Sequence, residues 1–138
     1  MTDSDEIIKY IDFEWISSVA QELVSIPSVT MEEEQICSCF ESKLRELGLE
    51  VDVREVTPGR NNLYAKISGE GQGRSLILNG HLDTIPVGSH RDPYVEGDRL
   101  YGRGATDMKG GMASMLGAAK AIIESKVKIR GDVWLTAV

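Results

Sequence analysis

The stretch Ile77-Leu-Asn-Gly-His-Leu-Asp-Thr-Ile-Pro86 sets an imidazole and a carboxylate, His81 and Asp83, directly after an apolar run. In extended backbone, side chains two residues apart share a face and stand roughly 6.5–7 Å apart along the chain. His81 and Asp83 can therefore address one space. A ligating histidine usually passes its second ring N–H to a carboxylate or carbonyl, which fixes its tautomer and orientation. His-x-Asp supplies a metal ligand and its orienter from one short segment. On spacing alone, a strand-end histidine held in an Asx-type turn is the plainer explanation.

A second constellation follows in Leu100-Tyr-Gly-Arg-Gly-Ala-Thr-Asp-Met-Lys-Gly-Gly111. Asp107 precedes a helical segment, where the ordinary role of an aspartate is to cap the first-turn amides. Gly102-Arg-Gly104 begins like a phosphate-binding G-x-G-x-x-G, but Asp107 takes the third glycine's place and would repel phosphate. Glycines around an acid point to a cation instead. Imidazole with carboxylate suits zinc, with cobalt or manganese as alternatives. Zinc takes four ligands, or three and a water, so one His and one Asp leave the set incomplete.

The elements that must position these groups read from periodicity. Phe13, Ile16, Val19, Ala20, Leu23 and Val24 recur at helical spacing and stop before Ile26-Pro27. Thr30-Met-Glu-Glu33 reads as a capping box opening a second helix with Ile36, Phe40, Leu44 and Leu47 on one face, closed by Gly48. Strands are expected over 50–56, 62–67 and 74–78, with 69–73 as a loose turn. The stretch 84–104 is turn-rich and reads as a long functional loop. A third helix is expected over 109–126; its small residues, Gly117 among them, imply close packing on a neighbour. Residues 132–138 read as a buried strand. The order implies an α/β fold, with helices packed on a mostly parallel mixed sheet.

Composition narrows the partners. The chain has 138 residues, 41% hydrophobic and 27% charged, enough for one core. A net charge of -7 argues against nucleic acid, which wants a basic stripe. The N-terminus lacks the basic and apolar regions of a signal peptide, and no apolar run is long enough to span a bilayer. Cytoplasm and no membrane partner are the expectation. Cys37 and Cys39 lie two apart on a helix, point to different faces and read as free thiols.

Asn79-Gly-His-Leu-Asp-Thr-Ile-Pro86 and Tyr101-Gly-Arg-Gly-Ala-Thr-Asp-Met-Lys-Gly-Gly111 together resemble the two N-terminal signatures of the co-catalytic zinc peptidases and deacylases. That family includes acetylornithine deacetylase, succinyl-diaminopimelate desuccinylase, aminoacylase and glutamate carboxypeptidase. Asp92-Pro93-Tyr94 and Leu23-Val-Ser-Ile-Pro-Ser-Val29 also fit. The resemblance implies two zinc ions. His81 would bind one, Asp107 would bridge both, and Asp83 would be the catalytic-site residue that holds the imidazole. The peptide after the bridging aspartate is cis in this family, so Asp107–Met108 is expected to be cis.

The resemblance also implies what lies elsewhere: a glutamate pair after a strand like 133–138, a further acid, a C-terminal histidine and an inserted lid domain that aids dimerisation. Residues 1–138 accordingly read as the N-terminal portion of the catalytic domain, a fragment whose own amide hydrolysis is negligible and whose zinc binding is weak. The substrate class would be a small peptide or an N-acyl amino acid, and the complete enzyme a homodimer. A non-catalytic α/β binding or assembly module is the alternative. His90 reads as a surface residue, Arg91 and Arg103 as solvated charges. The last strand, with Trp134, is expected to expose apolar surface and drive self-association.

Overall fold

The computed structural model describes residues 2–88 and 92–138; His90 and Arg91 lie outside them. Three helices come first: α1 (Asp3–Ile8), α2 (Phe13–Ser25) and α3 (Glu34–Glu46). Strands β1 (Val51–Thr57), β2 (Arg60–Ile67) and β3 (Leu76–Gly80) follow, then a small hairpin of β4 (Tyr94–Glu96) and β5 (Arg99–Tyr101). A wide turn at Ala105–Lys109 leads into α4 (Gly110–Ser125), and β6 (Val133–Ala137) completes the order. α1 and the hairpin are additions to the sequence reading. Thr2 and Asp5 form a reciprocal cap that starts α1. The hairpin turns at Gly97, whose φ of 62° suits glycine.

The main sheet has the order β1-β2-β6-β3. β1 with β2 and β2 with β6 are antiparallel, and only β3 with β6 is parallel. The α/β layering and the mixed sheet stand, but the parallel character is confined to one pairing, because β1 and β2 are joined by a tight turn that forces them antiparallel.

Alternation along the strands decides the core face. Leu63 and Ala65 of β2 lie opposite Ala137 and Leu135 of β6, and all four are buried. Against them pack Ile36, Phe40 and Leu44 of α3, Leu23 of α2, and Met112 and Leu116 of α4. Burying a side chain of this size contributes roughly 1.5–3 kcal/mol. The close helix packing expected for α4 is present: a Cβ on Gly117 would meet Ile16 Cδ1 of α2 at 2.4 Å.

Two sequence expectations are corrected. Thr30-Met-Glu-Glu33 is not a capping box: α3 begins at Glu34, and its cap residue Glu33 makes no side-chain cap bond. Thr30 Oγ1 instead donates to Asp83 Oδ2 at 2.5 Å, and Arg60 grips both oxygens of Glu33 at 2.7 and 3.0 Å. Charged partners from distant strands outcompete a local cap. Nor does β6 expose its apolar face. It lies between β2 and β3, with Val133, Leu135 and Ala137 buried and Trp134 half-buried beneath the Lys66 ammonium. Exposed apolar residues lie on both edge strands of that sheet, Leu76 and Ile77 of β3 at 54% and 63% and Val56 of β1 at 63%.

Cys37 is buried, Cys39 half-buried, and both are free thiols. Burial, then neighbouring glutamates, push each thiol up to about 11. Among the described residues no helix is long and apolar enough to cross a membrane.

Candidate metal centre

The site forms where β3 leaves the sheet. Its pairing with β6 continues one step beyond the strand, through Val138 N–H to Gly80 O at 3.0 Å and Leu82 N–H to Val138 O at 2.9 Å. On the other side, the segment after Pro27 straps the loop. Thr84 N–H donates to Ser28 O at 2.7 Å, Thr30 N–H to Thr84 O at 3.1 Å, and the buried Ser28 hydroxyl to Leu82 O at 2.8 Å. The backbone from His81 to Thr84 is thereby held extended, with Leu82 turned into the core and His81 and Asp83 turned outward.

Gly80 is needed for a different reason. A Cβ there would meet Met112 Sδ at 2.4 Å and Met108 Cε at 2.7 Å, so the glycine lets α4 and the turn before it close beneath His81. The turn itself is wide. Lys109 N–H bonds Gly104 O at 2.8 Å, five residues back, and Gly110 N–H bonds Ala105 O in the same pattern. Asp107 and Met108 depart from helical backbone within it, and the Asp107–Met108 peptide is cis, as the family resemblance implies. Asp107 does not cap α4; its side chain is 85% exposed and faces His81.

The two motifs meet at one imidazole. His81 Nδ1 lies 3.0 Å from the Asp83 carbonyl oxygen and 3.0 Å from its Oδ1, while Nε2 lies 3.0 Å from Asp107 Oδ1. Asp83 is anchored in turn by the Thr30 hydroxyl. Burial works against a charged ring, but the bond to Asp107 and the bonds and charge of Asp83 outweigh it, so the His81 pKa lies above its ordinary value. A second ion pair, Arg60–Glu33, borders the neighbouring hollow behind Asp83, about 230 Å³ in volume.

The donor set fits a metal. With Nδ1–H committed to Asp83, a cation would take the place of the Nε2 proton, between that nitrogen and Asp107. Tetrahedral zinc with bonds of about 2.0–2.2 Å holds two ligand atoms roughly 3.3 Å apart; Nε2 and Asp107 Oδ1 are within a few tenths of that. Among the described residues no group of three or more His, Cys, Asp or Glu side chains is arranged to hold an ion.

The structure also brings in residues the sequence reading left out. Thr30, Thr84, Thr106 and Arg103 line one hollow of about 330 Å³ with His81, Asp83 and Asp107. Arg103 is half-buried, not a solvated surface charge, because Gly102 and Gly104 draw its backbone against Val24, Pro93 and Thr84. Lys109 is also buried, its ammonium donating to Ile26 O at 2.6 Å. The position of Thr30 three residues before an acid gave a local signal that masked its long-range one.

Residues 77–138, which carry both motifs, match the model of peptidase family M20/M25/M40. Over 126 residues the chain is 35% identical to succinyl-diaminopimelate desuccinylase of Leptothrix cholodnii, covering 84% of this chain and 33% of that enzyme. Over 114 residues it is 39% identical to N-formyl-4-amino-5-aminomethyl-2-methylpyrimidine deformylase of Bacillus subtilis, covering 76% and 27%. The fold superposes on a tripeptidase of Staphylococcus aureus with a TM-score of 0.78 and 27% identity, over 93% of this chain and 36% of that one. The chain thus spans about a third of the length of the curated relatives it matches. Enzymes of the family are metal-dependent hydrolases. With its paired motifs on the same fold, placing one imidazole between two carboxylates, the chain belongs to peptidase family M20/M25/M40.

Proposed function

We propose that residues 1–138 are the N-terminal portion of a catalytic domain that cleaves an amide bond in a small peptide or an N-acyl amino acid. The observation that carries this is the imidazole of His81 held at Nδ1 by Asp83 and facing Asp107 through Nε2 at 3.0 Å. His81 would hold one zinc and Asp107 would bridge two, with cobalt or manganese as substitutes. When bound, such a pair polarises the scissile carbonyl and makes water a nucleophile near neutral pH.

The chain's own groups prepare that chemistry. Asp83 keeps the proton on Nδ1 and raises the basicity of Nε2. Thr30 holds Asp83 in register, and the strap through Ser28 and Thr84 fixes the loop that carries both. The second oxygen of Asp107 is open to the hollow for a second ion. Homodimerisation belongs to the same reading of the whole enzyme; the exposed edge of β3 is where self-association of this chain would occur.

Two direct ligands are fewer than zinc takes. The chain alone is expected to bind Zn²⁺ with a Kd weaker than ~1 µM, less than about 8 kcal/mol, and to hydrolyse N-acyl amino acids negligibly. Calorimetric titration with Zn²⁺, followed in parallel by the His81 ring signals in NMR, tests it. Weak binding that moves His81 and disappears in His81→Ala supports the assignment. Sub-micromolar binding, or binding indifferent to His81→Ala, sinks it.

A further inference from the structure

Two charged side chains are buried among the described residues, and they are treated differently. Glu33, 7% exposed, has both oxygens gripped by the Arg60 guanidinium. Lys109, 1% exposed, meets no carboxylate; its ammonium donates to one backbone carbonyl, Ile26 O at 2.6 Å. Burying a charge without a counter-charge works against stability. A methionine, with a stem of nearly the same length, would fill the space without that cost. Stability therefore does not account for this lysine, whereas its place in the fold does.

The carbonyl it meets belongs to the start of the strap. Two residues on, the Ser28 hydroxyl and carbonyl hold Leu82 and Thr84, and four residues on, Thr30 holds Asp83. The lysine itself closes the wide turn that carries Asp107, through its N–H to Gly104 O at 2.8 Å. Gly104 makes room for the stem: a Cβ there would meet Lys109 Cδ at 3.1 Å, Cε at 3.3 Å and Thr84 Cγ2 at 2.7 Å. The turn, the strap and the loop 81–84 thus converge on one buried side chain. The two motifs also touch directly, at His81 Nε2 and Asp107 Oδ1. A cation entering between those atoms takes over that contact, so their spacing has to be set from outside it. Ligand geometry of this kind tolerates an error of about 0.5 Å.

We propose that Lys109 is a positioning residue of the metal centre: its ammonium fastens the turn bearing Asp107 to the strap that holds Asp83, and so sets the separation of His81 and Asp107 that a cation must bridge. This rests on the metal-hydrolase reading of the site.

The test compares the chain with Lys109→Met at neutral pH in three measurements. The urea midpoint should hold or rise, because the variant sheds a buried charge. The NMR cross-peaks between the His81 ring and the Asp107 β protons, recorded without metal, should be lost. Zn²⁺ affinity, followed through the His81 ring signals, should fall by roughly 10-fold, at the low end for groups that orient metal ligands. A residue that only supports the fold would move stability and affinity in the same direction. A variant that fails to fold or loses stability marks Lys109 as a strut of the fold and overturns the proposal. Cross-peaks that persist, or zinc affinity that matches a zinc-binding wild type, overturn it as well. Failure of the metal assignment is distinguishable: wild-type His81 signals that ignore Zn²⁺ sink that assignment, while the metal-free cross-peaks still decide whether Lys109 sets the spacing.

Discussion

At the C-terminal end of the β3–β6 pair, polar side chains meet across open space; at the opposite end, backbone amides are taken up by carbonyls and one carboxylate. His81, Asp83, Asp107 and Thr30 hold one another through imidazole, carboxylate and hydroxyl. At the far end, Glu70 and Gln72 donate their amides to Ile129 O and Arg130 O at 2.9 and 3.0 Å, and Asp132 Oδ1 accepts from Gly69 N–H at 2.9 Å. The stretch 69–73 is therefore a tied turn, not a loose one. A site needs groups with spare bonding capacity, whereas an end that only closes the sheet can use all of it. The contrast separates what stability and what chemistry ask of the same two strands.

The largest effect is expected at the far end. A Cβ on Gly131 would lie 2.1 Å from Arg74 O, and backbone cannot swing aside as a side chain can. Gly131→Ala should cost about 3 kcal/mol, at the upper range for overpacking, read as a lower urea midpoint. The His81 ring signals of the folded fraction should stay where they are. A loss below ~1 kcal/mol would show that the far end has slack, and the contrast would weaken.

A smaller effect belongs to the site end alone. Burial lowers the Lys109 pKa from 10.5 to about 8, with one backbone carbonyl as its hydrogen-bond partner. Between those values the native chain binds fewer protons than the unfolded one, so this group's contribution to stability rises with pH across the window. Below it, both states are charged and the burial penalty is constant. Relative to Lys109→Met, the wild-type chain should gain about 2 kcal/mol between pH 8 and pH 10, measured as paired urea titrations. A flat difference would mean that Lys109 stays charged in the fold. Wild type and Gly131→Ala both keep Lys109, so the difference between those two should show no such slope.

Helical and strand periods carried most of this fold because they are local. Leu23, Phe40, Leu63, Leu116 and Leu135 announced their elements and are all buried in the core. Strand order is not local. Whether Trp134 or Ile77 faces solvent depends on β6 lying inside β1-β2-β6-β3, which neither strand's own sequence encodes. The site divided the same way. His81, Asp83 and Asp107 were legible from residue type and spacing, and from the resemblance those spacings carry. Arg103 was not, since its burial depends on two glycines packing against residues up to 78 positions away in the chain, such as Val24. The hairpin β4–β5 escaped because its strands are three residues long, too short to show a period.

Thr30 offers the finest test of the contrast, because it supports the site without belonging to the metal-ligand pair. Its hydroxyl donates to Asp83 Oδ2 at 2.5 Å from an otherwise exposed position. Thr30→Val keeps the shape and removes the donor. The carboxylate it leaves can take water in its place, so the stability cost should be about 1 kcal/mol or less. The orienting role is more sensitive than the fold. Asp83 would then hold His81 without being held itself, and Zn²⁺ affinity should fall by roughly 10-fold, at the low end for outer-shell partners of a ligating histidine. Thr30→Ser, which restores the hydroxyl, should recover most of that loss. A variant that lost stability and zinc affinity in equal measure would mark Thr30 as a strut of the fold, and the line between the two ends would have to be redrawn on its near side.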